Sequence, residues 1–558
     1  MKQLLYLLKS KVTLWTGALL LLTVTLSTTL ADDYFEISKN LEIFTSVYKE
    51  LNTYYVDETK PGSLMKAGID AMLRSLDPYT VYYPESKIED YKFMTTGQYG
   101  GIGALVNTID GKITIVEPQE GFAAARAGLK SGDVVLEVDG KPVQGKSADE
   151  LSEFLTGQPG TEVVLKVSRV GENEPLTFTV KREEIKVPDV PHYEMLDDHT
   201  GYIQLMGFTR TASSDVRSAF TALKARGMHQ LILDLRGNGG GLLAEAVNIV
   251  NFFVPKGTEI TRTKGKLEEW NKTYYALNDP LDTQIPLAVL IDDMSASASE
   301  IVSGSLQDLD RAVIVGSESY GKGLVQQTKD MAYNTKLKLT IAKYYIPSGR
   351  CIQRLDYSHR NEQTGEVSAV SDSLIKPFST RNGRKVYDGR GIAPDLPVEG
   401  EETSHILTAL VENWIIFEYA NQYYHAHSSI DSADVFHLTD AEYNEFVNYA
   451  ESNDFSYDTH TEEIFHELKK TAEQENYYKG SEREFDQLFA RIAPNKKDDL
   501  IKFKTQILEV LESEIVSRYY LQTGRIRHNL PSDPVVQKAR EVFAFGYIDI
   551  LSPPAGKK

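Results

Sequence analysis

Residues 231–253 read Leu231-Ile232-Leu233-Asp234-Leu235-Arg236-Gly237-Asn238-Gly239-Gly240-Gly241-Leu242-Leu243-Ala244-Glu245-Ala246-Val247-Asn248-Ile249-Val250-Asn251-Phe252-Phe253. The apolar run Leu231–Leu235 has the length of a buried strand, four glycines interrupt it, and a helical pattern follows from about Leu242 to Phe253. The same rhythm returns downstream: a strand at Pro286–Ile291, a helix at Ser299–Leu309 and a strand at Ala312–Val315. Strands alternating with helices argue an α/β layer over about 190–398, with functional groups in the loops beyond the strand ends. A glycine loop that opens a helix leaves backbone N–H groups uncovered, which suits an anion or a transient oxyanion. It is not a dinucleotide fingerprint, because Leu242 stands where the last glycine belongs.

Outward from this core the texture changes. Over 34–91 Ile37, Leu41, Phe44, Tyr48 and Leu51 recur at helical spacing. From Thr95 to Ile185 short strands with sharp turns predict a small, partly open β-barrel. Its strands are expected at Ile113–Val116, Val134–Val138, Thr161–Val170 and Leu176–Ile185, with a hairpin turn at Asp139-Gly140 and a capping-box helix from Ser147. A polar stretch, 356–384, reads as a surface insertion. Beyond Gly400 the chain reads as helical, including an i, i+4 stripe of Ile507, Leu511, Ile515 and Tyr519 that stops near Gly524.

The 558 residues suggest about three to four folded units. With 41% hydrophobic and 25% charged residues the chain is globular, and its net charge of −20 disfavours nucleic acid as a partner. A single cysteine, Cys351, excludes an internal disulfide, a multi-cysteine zinc finger and an iron–sulfur cluster. At the start, Lys2, Lys9 and Lys11 precede an apolar run from Val12 to Leu26 and small residues up to Ala31. This is the pattern of a signal peptide; 12–31 is also long enough to anchor in and contact a membrane. Either way the remainder lies outside the cytoplasm, in or facing a bacterial periplasm.

Gly316–Gly323 follows a strand and matches a phosphate-binding loop except at its last position, where Gly323 replaces the magnesium-holding hydroxyl; the strand-like Leu324–Thr328 also replaces the required helix. Nucleotide binding is set aside. His466-Glu467 lacks the second histidine of a zinc-protease helix, and His425 and His427 read as surface or packing residues. Neither metal nor cofactor is expected.

Ser295-Ala296-Ser297-Ala298-Ser299-Glu300 joins a strand to a helix. Ser297 to Glu300 is a capping-box pattern, and a serine there is ordinarily a cap. The alternative is a hydroxyl exposed on a tight strand-to-helix turn as a nucleophile. A serine needs a base, no histidine falls in these loops, and Lys322 follows 25 residues later between glycines. Lysine serves as a base only when neutral, a form that apolar burial favours.

These elements together resemble the carboxy-terminal processing (tail-specific) serine proteases. The matching motifs are Asp234–Gly241, Ser295–Glu300, Tyr320–Gln326, Tyr344–Arg350 and Gly391–Asp395, within a resemblance covering about Tyr34 to Val398. Carried over position by position, it implies Ser297 as nucleophile, Lys322 as general base, Gln326 as the residue orienting that lysine, and the N–H groups of Gly241 and Ala298 as oxyanion donors. It also implies a crotonase-like α/β protease core and reads the β-rich unit as a PDZ domain. There Gly100, Gly101, Ile102 and Gly103 would receive a substrate's terminal carboxylate while its tail adds as a strand. The expected order is a signal peptide or anchor (1–31), an N-terminal helical region (34–92), the PDZ domain (93–186), the protease core (187–399) and a helical C-terminal extension (400–558). The expected activity is endopeptidase action on proteins recognised by apolar C-termini. An adaptor protein and a homo-oligomer are compatible with the pattern, and a catalytically silent scaffold of the same fold is the alternative reading.

Overall fold

The computed structural model describes residues 34–361, 364–400 and 402–552, the side chains of 89, 90, 149 and 153 excepted. The expected signal segment lies outside the described residues. Of the described residues, those up to Tyr82 with Leu337–Leu339 form one compact unit and the others a second. In the first, helices span 34–54 and Pro61–Arg74, and the Tyr48 hydroxyl donates to the Pro61 carbonyl at 2.9 Å.

The second unit is built on a six-stranded sheet whose spatial order follows the chain: β1 (His192–Met195), β2 (Thr200–Gln204), β3 (Gln230–Asp234), β4 (Leu287–Ile291), β5 (Val313–Gly316) and β6 (Leu396–Pro397). Only β1–β2 is antiparallel. Because β3, β4 and β5 run parallel side by side, the loops after them emerge at one sheet edge, which brings the glycine, serine and lysine segments together. Helices α1 (Ala212–Ala225), α2 (Leu243–Asn251) and α3 (Ala298–Asp308) share an apolar core with one face of this sheet, through Phe208, Leu233, Ile249, Val289 and Ile301 among others.

The other face is covered from the far end of the chain. Ile232, Ala288, Leu290, Val313 and Val315 pack against Val536, Ala539 and Val542 of α5 (Pro534–Ala544). Part of the helical extension is thus the second layer of the core. The intervening helices pack around their own centre, with Ile406, Leu410, Ile416, Phe446, Leu511 and Ile515.

The stripe around Ile507 belongs to α4 (Lys504–Asn529), which is two helices joined at a kink: Leu521 (φ +54°, ψ −156°) is non-helical, so the first helix ends three residues before Gly524, close to the expected stop, and a second runs on to Asn529. Gly524 itself, just past the kink, allows close packing, since a Cβ there would lie 2.1 Å from Tyr520 Cβ.

In the β-rich region, Ala104–Ile109, Lys112–Pro118, Val134–Val138, Glu162–Ser168 and Leu176–Lys181 form an antiparallel sheet, with the expected turn at Asp139-Gly140 and a capping box at Ser147. The strand expected over 176–185 is split at Arg182: Glu183–Lys186 leaves that sheet and pairs with Gln98–Gly101. The 356–384 segment is not wholly superficial, because the nearly buried Arg384 holds Asp310 at 2.7 Å.

Candidate active site

The turn into α3 separates its three serines by function. Ser295 and Ser299 are fully buried and donate their hydroxyls to the Leu235 and Asn238 carbonyls, each at 2.8 Å, tying the turn to the glycine loop. Ser297 between them is only half-buried. It occupies the N-cap position, and the Glu300 carboxylate accepts its N–H at 2.7 Å, the carboxylate half of a capping box. Its backbone is nevertheless left-handed (φ +57°, ψ −108°), where an ordinary N-cap is extended. A non-glycine residue held there is strained, a feature common at functional turns.

The glycine loop lies directly against this turn. A Cβ at Gly240 (φ +96°) would sit 2.8 Å from Ser297 Cβ and 2.9 Å from the Ala298 nitrogen; one at Gly241 would meet the Phe208 carbonyl oxygen at 2.5 Å. Asn238, fully buried, holds the loop: its amide donates to the Leu205 carbonyl at 2.7 Å and its own carbonyl accepts the Ala296 N–H at 3.0 Å. Among the described residues, the N–H groups of Gly241 and Ala298 are not used in the hydrogen bonding of the fold. Two such donors beside a strained serine can stabilise a developing negative oxygen.

Glu300 joins the serine turn to the lysine loop. Its buried carboxylate accepts the Ser297 N–H at 2.7 Å and the Lys322 N–H at 2.9 Å on Oε2, and the Gly321 N–H at 2.7 Å and the Ser319 hydroxyl at 2.6 Å on Oε1. Burial pushes its carboxyl up, against these four hydrogen bonds. Tyr344, on the strand Lys336–Tyr345, makes a second link: its hydroxyl lies 2.6 Å from the Lys322 carbonyl oxygen and 3.1 Å from that of Ser297. In the sequence Glu300 reads only as a cap and Tyr344 carries no visible role, since most of their partners are distant in the chain. Gln326 lies on the strand Leu324–Asp330, where its amide nitrogen donates to the Thr340 hydroxyl at 3.2 Å.

A second site lies in the β-rich unit, where a groove of about 870 Å³ runs between the strand Ala104–Ile109 and the helix Ala148–Leu155. Gly100, Gly101, Ile102 and Gly103 all line it, and among the described side chains that line it none is charged. Gly100 and Gly101 belong to a strand rather than a free loop, and Ile102 buries its side chain in the unit's core.

Comparison with known proteins follows this division. Residues 199–357 match "Peptidase family S41", 114–169 "PDZ domain" and 406–543 "Probable PDZ-protease, C-terminal helical domain". The carboxy-terminal-processing protease of Bartonella bacilliformis is 36% identical over 319 residues, covering 56% of this chain and 73% of that protein. The chain belongs to the S41 carboxy-terminal-processing protease family. A "Probable CtpA-like serine protease" of Staphylococcus aureus is 35% identical over 316 residues, 56% of this chain and 62% of that protein. Among solved structures, the photosystem II D1 C-terminal processing protease aligns over 64% of this chain and 92% of its own, at 24% identity and a TM-score of 0.35. The S41 chain is a serine peptidase that combines its protease fold with a PDZ domain and a helical C-terminal domain.

Proposed function

We propose that this S41 peptidase is an endopeptidase that receives protein C-termini in its PDZ groove and cleaves them with a Ser297–Lys322 pair. The observation that carries the reading is the shared Glu300 oxygen, which accepts the backbone N–H of both residues. In the mechanism, neutral Lys322 takes the Ser297 hydroxyl proton as the oxygen attacks the scissile carbonyl. The N–H groups of Gly241 and Ala298 receive the oxyanion, a contribution of roughly 3–4 kcal/mol per donor. The lysine then returns the proton to the leaving amine, and water, deprotonated by the same amine, releases the acyl group. Gln326, its amide nitrogen engaged by Thr340, would turn its carbonyl oxygen to the lysine.

The apolar lining residues Ile102, Leu105, Val106 and Leu155 favour apolar tails, with the carboxylate left to backbone N–H groups near Ile102-Gly103. A crotonase-like core and a partly open PDZ barrel are the finer fold reading. The pattern of residues 2–31 supports a site of action outside the cytoplasm. Incubating the protein and its Ser297→Ala variant with tail-tagged substrates and identifying products by mass spectrometry tests the proposal: products formed only by the unmodified enzyme support it, and equal products from both overturn it.

A further inference from the structure

Between the last PDZ strand, Glu183–Lys186, and β1 runs Val187-Pro188-Asp189-Val190-Pro191, a linker stiffened by two prolines. Asp189 in its middle is almost fully buried, and all its polar contacts given by the fold enter one loop, residues 206–211. One carboxylate oxygen accepts the Thr209 N–H at 3.1 Å; the other accepts the Thr209 hydroxyl at 2.6 Å and the Thr211 hydroxyl at 3.1 Å. Its backbone carbonyl accepts the Met206 N–H at 2.8 Å.

The loop held this way presents Phe208 to the glycine segment. Phe208 forms a parallel bridge with Gly241, and its carbonyl accepts the Leu242 N–H at 2.8 Å. Gly241 has no side chain with which to fix its own peptide plane, so the position of its N–H depends on what lies against it. Upstream, the linker continues the strand paired with Gln98–Gly101, which borders the peptide groove, and Val187 donates to the Gly97 carbonyl at 3.0 Å.

We infer that Asp189 is a positioning residue for the oxyanion hole, holding Gly241 through the 206–211 loop at the point where the chain leaves the PDZ domain. The inference rests on the assignment of Gly241 as an oxyanion donor. It makes the junction between peptide groove and protease core part of the machinery that sets the acylation rate.

The test uses the full-length protein and a small fluorophosphonate, which reacts with an activated serine without occupying the groove. Its second-order labelling rate is read beside the affinity for a fluorescent tail peptide and the thermal midpoint. Asp189→Ala should slow labelling by about 10- to 100-fold while peptide affinity changes less than about twofold. Asp189→Asn, which keeps an acceptor for the Thr209 N–H, should recover much of the rate. A folded Asp189→Ala protein labelled as fast as the unmodified enzyme overturns the inference. Should that variant not fold, Thr209→Val removes one hydroxyl contact and carries the same test: slowed labelling supports the inference and an unchanged rate overturns it. An unmodified enzyme that is not labelled at all overturns the active-site reading itself, and this inference with it.

Discussion

Ser297 and Lys322, 25 residues apart in the chain, donate their backbone N–H groups to the same carboxylate oxygen of Glu300, at 2.7 and 2.9 Å. The proposed nucleophile and base are therefore fastened to one buried acceptor rather than positioned independently. Glu300→Gln keeps the shape but offers an N–H₂ where donors now point. It should lower kcat/KM by about 100-fold or more and stability by about 2–4 kcal/mol. Tail-peptide kinetics and urea melts check both numbers; a fully active variant would show that Glu300 only caps the helix.

The glycine loop should tolerate little. Gly240→Ala adds a Cβ beside Ser297, and Gly241→Ala adds one against the Phe208 carbonyl. Each should cut kcat by about 100-fold, with tail-peptide affinity measured by anisotropy left within about twofold.

How much of this was legible in the sequence differs by element. The strand-loop-helix units at Gln230–Asn251 and Leu287–Asp308 could be read because apolar runs, glycines and a cap are local signals. The role of Glu300 could not, since Ser319, Gly321 and Lys322 reach it through an intervening helix and strand. Nor does anything near Val536, Ala539 and Val542 state that this amphipathic helix covers the protease sheet rather than its own domain. Gly524 marks the break at Leu521 to within three residues, whereas its close approach to Tyr520 is visible only in packing.

Asp308 and Arg350 form an ion pair of 2.9 Å in which both side chains are essentially buried. Arg350 also donates to Gln307 at 2.7 Å, and Asp308 accepts the Ser348 N–H at 2.9 Å. Arg350→Met leaves a buried carboxylate without its countercharge and should cost about 3–5 kcal/mol. The double variant Asp308→Leu/Arg350→Met should recover part of that loss in chemical denaturation.

In the helical domain, His528 directs Nδ1 to the Ala433 carbonyl at 2.9 Å and Nε2 to the Glu512 carboxylate at 3.5 Å. Burial works against the charged ring, but the Glu512 and Ala433 contacts outweigh it, so His528 titrates above its ordinary 6.5. Burial would raise Glu512, yet hydrogen bonds from His528, the Leu438 N–H and His437 hold it below its ordinary 4.5. The histidine contribution is complete below 6.5 and fades as pH rises through its raised folded value. The Glu512 contribution is complete above 4.5 and fades as pH falls through its lowered folded value. Thermal melts across pH should therefore show stability declining on the alkaline side of 6.5, and His528→Gln should flatten that decline.

Leu105 lines the peptide groove and is about half exposed. Leu105→Asp sets a negative charge in the groove proposed to receive the tail's carboxylate. Tail-peptide affinity should fall about tenfold while fluorophosphonate labelling of Ser297 stays unchanged.

The pairing of Ser297 with Lys322 is tested most directly by intact-protein and peptide mass spectrometry after fluorophosphonate treatment. One adduct located on Ser297, absent from Ser297→Ala and lost in Lys322→Ala, is the expected result. An adduct on another residue, or undiminished labelling of Ser297 in the Lys322→Ala protein, would contradict the account.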